Sequence, residues 1–77
     1  MDVCIEPLNL RFKYNTTMEI RVRSNTIFVE SAGNYKIGID FPDRDSADRF
    51  FRALMKAYCN YEQAFVVEDL EPYYFPF

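Results

Sequence analysis

The chain has 77 residues and a formal net charge of −3, which allows one domain with a modest core and a thin stability margin. At 49% hydrophobic, 27% charged, with two Gly and four Pro, its composition excludes the low-hydrophobicity signature of disorder. The absence of histidine excludes His-based triads and histidine general bases, and two glycines do not suffice for a phosphate-cradling loop.

From the N-terminus, "DVCIE" (2–6) reads as an edge strand that Pro7 interrupts. In "LNLRFKY" (8–14), Leu8, Leu10, Phe12 and Tyr14 alternate with polar residues, the period of a half-buried strand. "NTT" (15–17) reads as a turn. Met18, Ile20 and Val22 then point inward, with Glu19, Arg21 and Arg23 outward. "SN" (24–25) separates this strand from "TIFVES" (26–31), and "AGN" (32–34) supplies a second tight turn. In "YKIGIDF" (35–41), Tyr35, Ile37, Ile39 and Phe41 share one face. Short turns make an antiparallel β-meander of four to five strands the simplest pairing.

Pro42 ends the strands and the period changes. A helix is expected from about Ser46 to about Tyr61, capped by Asp45 with Asp48 three residues on. Ala47, Phe50, Phe51, Leu54, Met55 and Tyr58 follow the spacing of one helix face and are read as core. "AFVVEDL" (64–70) is a last strand or a helix extension, and Val66 and Val67 favour the strand. The expected architecture is α+β: the meander with one amphipathic helix packed on one face, spanning residues 1–71. The tail, residues 72–77, closes the segment "EPYYFPF" (71–77), whose two prolines favour an extended form.

Cys4 and Cys59 show no C-x-x-C spacing, and without histidine a zinc site is disfavoured. A Cys4–Cys59 disulfide remains open, but two buried free thiols in a reducing compartment are favoured. The opening "MDVCIEPLNLR" has neither the basic region nor the apolar run of a signal peptide. No stretch approaches the ~18 apolar residues of a membrane span. The expectation is a cytoplasmic protein without membrane contact, metal or cofactor.

Two surfaces carry the functional expectations. Of the 12 acidic residues, Glu62, Glu68, Asp69 and Glu71 follow Lys56, while none of the nine basic residues does, so residues 57–77 carry −4 and residues 1–56 carry +1. In the tail, acids flank rings. Tyr73, Phe75 and Phe77 either complete the core, or Tyr73, Tyr74, Phe75 and Phe77 are offered to a partner, a second copy included. On the outward face of the meander, Arg11, Lys13, Arg21, Arg23 and Lys36 outnumber Glu19 and Asp40, with Phe28 among them. Such a face suits single-stranded nucleic acid, through phosphate contacts and stacking, or an acidic protein surface. The carboxylate pairs Asp40/Asp43 and Glu68/Asp69 are read as helix-start and solvated residues, and Cys59 as a structural thiol without a base beside it.

The run of strands followed by an amphipathic helix, from Met18 to Tyr61, resembles the closing half of pleckstrin-homology-like domains. The resemblance is one of topology and implies no lipid or peptide site. In size, acidity and lack of catalytic parts the chain also resembles small phage-encoded inhibitors of bacterial defence, anti-CRISPR proteins among them. That implies a non-enzymatic, stoichiometric inhibitor occluding a larger protein or complex, in the host cytoplasm if viral. The partner-binding residues expected are Arg21, Arg23, Lys36, Glu68, Asp69, Glu71, Tyr73, Tyr74 and Phe75. The nucleic-acid alternative uses Arg11, Lys13, Arg21, Arg23 and Phe28.

Overall fold

The computed structural model describes residues 1–15, 17–31 and 36–74. Along the chain come β1 (Asp2–Ile5), a 3-10 turn (Glu6–Leu8), β2 (Leu10–Lys13), β3 (Glu19–Arg23), β4 (Thr26–Glu30) and β5 (Lys36–Asp40). Helix α1 (Arg44–Cys59), β6 (Ala64–Val67) and the one-turn helix α2 (Glu71–Tyr74) complete it. The α+β class and the amphipathic helix are as expected. The "AGN" turn, Tyr35, and Phe75 and Phe77 of the tail lie outside the described residues, as does Thr16 of the "NTT" turn.

The strands form two sheets rather than one meander, in the orders β2-β1-β6 and β3-β4-β5. The second sheet is the expected meander. Its β3–β4 hairpin turns on Ser24 and Asn25, with Ser24 at positive φ (55°), as two-residue hairpin turns require. In the first sheet the break at Pro7 is a reversal. Pro7 is the second residue of the 3-10 turn, Asn9 takes the left-handed conformation (φ 50°) that asparagine tolerates, and β2 returns antiparallel along β1. Leu8 therefore sits in the turn, 45% exposed, and not on the strand face. Strand β1 becomes the centre of its sheet, because β6 joins its other side in parallel, pairing Cys4 with Val66 and Ile5 with Val67. The likeness to pleckstrin-homology-like domains stops there, since the helix is followed by a strand that completes the other sheet.

Helix α1 begins two residues earlier than expected. Asp43, not Asp45, is the cap: its extended backbone aims Oδ1 at the Ser46 N–H, 2.7 Å away. Asp45 lies in the first turn, where it suits the helix dipole, and Asp48 pairs with Arg44 at 3.3 Å. The apolar stripe packs as the spacing predicts, with Ala47, Phe50 and Leu54 buried and Phe51, Met55 and Tyr58 half-buried. One core takes in both sheets: Val3, Ile5 and Phe12 from the first, Ile27, Val29, Ile37 and Ile39 from the second. Phe50 joins the layers. Its ring lies 5.2 Å from Phe41, 5.7 Å from Phe65 on β6 and 5.2 Å from Tyr73 on α2.

The expected extended tail is helical over Glu71–Tyr74. Pro72 falls in the first turn, where a missing N–H costs nothing, and the Asp69 carboxylate accepts from the Glu71 N–H at 3.0 Å. Arg49 of α1 donates from Nε to the Tyr73 carbonyl at 2.7 Å. Both thiols are free, but neither is buried as expected: Cys4 is half-buried on the outer face of β1 and Cys59 is exposed at the end of α1.

Candidate interaction surfaces

The basic residues expected to form one face are divided between the sheets. Arg11 and Lys13 lie exposed on β2; Arg21, Arg23 and Lys36 lie exposed on β3 and β5. The outer face of the second sheet also carries Glu30, half-buried, which the sequence reading left out. Arg21 Nη2 meets Glu30 Oε1 at 2.9 Å, and Lys36 Nζ stands 3.7 Å from the same oxygen. With Glu19 and Asp40 on that face, three bases are matched by three acids. Phe28 lies opposite Gly38, and Lys36 Nζ stands 5.7 Å from the ring centre. One face of Phe28 is thus taken by a cation.

In the C-terminal third, rings and acids separate. Tyr73 and Tyr74 are half-buried against the core, Tyr74 at 6.0 Å from Phe41, and burial pushes both phenols above their ordinary pKa. Glu68, Asp69 and Glu71 are exposed. Phe75 lies outside the described residues.

Tyr61, expected at the end of the helix and not among the binding residues, is the most exposed large ring described. It is 92% exposed and takes a left-handed backbone (φ 58°). The cause is local. Helix α1 ends in a Schellman motif, with the Tyr61 N–H donating to the Tyr58 carbonyl and the Glu62 N–H to the Ala57 carbonyl, each at 3.1 Å. The residue after the Asn60 cap must turn left-handed, and glycine ordinarily fills that place. Here a tyrosine fills it and points into solvent. The available signal was "CNYEQ", a helix end with no glycine.

Two hollows flank this corner. One, of about 730 Å³, is lined by Tyr61, Tyr58, Cys59, Lys13 and Asp2. The other, of about 400 Å³, runs between α1 and β6, with Ala53, Ala57 and Lys56 on the helix side and Ala64, Phe65 and Val66 on the strand side. Val66 is 55% exposed. Among the described residues no helix is long and apolar enough to cross a membrane. No family model, curated protein or solved structure matches this chain.

Proposed function

We propose that this chain is a non-enzymatic protein-binding module acting stoichiometrically, its C-terminal third forming the contact with a larger protein or complex. Its most concrete form is an inhibitor that occludes a working surface of its target, as small phage-encoded counter-defence proteins do. The observation that carries the proposal is Tyr61: a large ring, nearly fully exposed, held at a backbone conformation that costs a non-glycine residue about 1 kcal/mol. Tyrosine in such a place is a common interface anchor; Glu62 lies beside it, and Glu68, Asp69 and Glu71, exposed after β6, give the segment that follows Lys56 a surplus of acid. Arg21, Arg23 and Lys36 are kept as a secondary contact. The nucleic-acid alternative is weaker, because the face it needs is charge-balanced and its aromatic already has a cation over it.

Affinity capture with the full chain, beside the double variant Glu68→Lys/Asp69→Lys, tests this. The reading predicts a nuclease-resistant, 1:1 protein partner that the charge-reversed bait retains at least about tenfold less well. A partner released by nuclease, or one indifferent to the reversal, contradicts it.

A further inference from the structure

A sheet edge is a row of unpaired N–H and C=O groups, and soluble proteins blunt it with charge, proline or cover. This fold has four strands at sheet edges. Strand β2 carries Arg11 and Lys13; β3 carries Glu19, Arg21 and Arg23; β5 carries Lys36 and Asp40. Strand β6 is Ala-Phe-Val-Val, with no charge and no proline. Among the described residues, three edges are blunted and one is bare.

The ladder fixes which groups are free. The Asp2 N–H donates to the Gln63 carbonyl at 2.9 Å, and β6 runs parallel to β1 from that point. In a parallel ladder the N–H and C=O of one residue point to the same side and the next residue's point to the other. Gln63, Phe65 and Val67 therefore face β1, and Ala64 and Val66 face outward. Among the described residues neither has a partner for these groups beyond the strand. Ala53 and Ala57, four apart on α1, keep the opposite wall low and open the 400 Å³ groove beside that edge.

We propose that the β6 edge receives an extended segment of a partner protein as an added strand, apolar at its centre and basic at its ends. The proposal rests on the protein-binding reading above and names the partner's chemistry. Main-chain hydrogen bonds to Ala64 and Val66 supply affinity, and alternate side chains of the segment enter the groove. Charge selects the ends. Glu62 stands before β6, and Glu68 and Asp69 follow it, so bases at both ends of the incoming strand are favoured. Lys56, which lines the groove, disfavours a base at the middle. The same charges oppose a second copy: two β6 strands paired antiparallel about Phe65, with Ala64 of each opposite Val66 of the other, bring Glu62 of each opposite Glu68 of the other.

The test uses the full chain, labelled for amide NMR, and two short synthetic peptides. Both share an alternating Val/Thr centre; one is flanked by lysines, the other by glutamates. The expected result is that the lysine-flanked peptide shifts the Ala64 and Val66 amides and binds about tenfold or more tightly than its counterpart. Val66→Pro deletes an outward N–H and no ladder bond, so it abolishes binding while the β1–β6 pairing stays intact. Val66→Lys, which puts charge on the exposed edge, does the same should the proline variant fail to fold. The proposal is overturned if neither peptide moves these amides, if Val66→Pro binds as well as the parent, or if the edge proves to hold a second copy, seen as a dimer that Val66→Pro dissolves. A captured protein that survives Val66→Pro yet is lost with Glu68→Lys/Asp69→Lys overturns the strand proposal and leaves the protein-binding reading standing.

Discussion

Tyr61 holds a backbone conformation that glycine reaches without strain. Because its ring is exposed, replacing it removes little packing. Tyr61→Gly is therefore expected to stabilise the protein by about 1 kcal/mol, raising the melting temperature by roughly 4–8 °C, and to weaken partner capture. A thermal melt followed by circular dichroism checks the first half; a lower melting temperature would mean the ring supports the fold. At the other end of α1, the Ser46 N–H, helped by the Ser46 hydroxyl, holds the Asp43 carboxyl below its ordinary value. A lowered folded-state pKa means the stabilising contribution is present above the unfolded value of about 4 and is lost as pH falls through the folded value. Asp43→Asn keeps a capping oxygen that does not titrate, so its melting temperature should fall less steeply with acid than the parent's. Asp43→Ala should lose a few degrees already at neutral pH. Melts across an acid series separate the two.

Elements are tied together through side chains, and Phe50 ties α1 to three neighbours. It is fully buried and touches rings from β6, from α2 and from the end of β5, so Phe50→Ala should cost about 3–5 kcal/mol and leave little folded protein. Helix α2 is held by the Tyr73 ring and by Arg49 on its carbonyl. Removing residues 71–77 should therefore lower the melting temperature by about 10 °C or more, since half-burying one ring is worth about 2 kcal/mol. An unchanged melt would show that the tail adds nothing to the core. The individual elements were legible because periodicity is written in adjacent residues: alternation in 18–41 gave β3, β4 and β5, and the 3–4 spacing gave α1. Pairing was not. Nothing local tells that β2 turns back on β1 at Asn9, or that β6 lies parallel to a strand some sixty residues earlier. The cap was misplaced by two residues because Asp43 and Asp45 are equally good acceptors, and only the extended backbone at Asp43 decides between them. The tail was read as extended because proline reads as a breaker, although at the first turn of a helix it is accommodated.

The whole molecule separates its charges along the chain. Its basic residues end at Lys56, and the segment beyond, which holds Tyr61, β6 and the exposed acids, carries −4 of a net −3. The acidic character of that segment was plain in the sequence. Its shape was not, because the groove and the bare edge exist only once β6 has docked on β1 beside α1. The expected basic face fared less well: Glu30 sits between Arg21 and Lys36, and Arg11 and Lys13 belong to the other sheet. Contact through the C-terminal third is the central claim, and amide hydrogen exchange on the captured complex tests it most directly. Slowed exchange across Tyr61–Glu68, with the β3–β4–β5 amides unchanged, is the predicted result. Protection confined to Glu19–Asp40, with Tyr61–Glu68 exchanging as in the free chain, would contradict it.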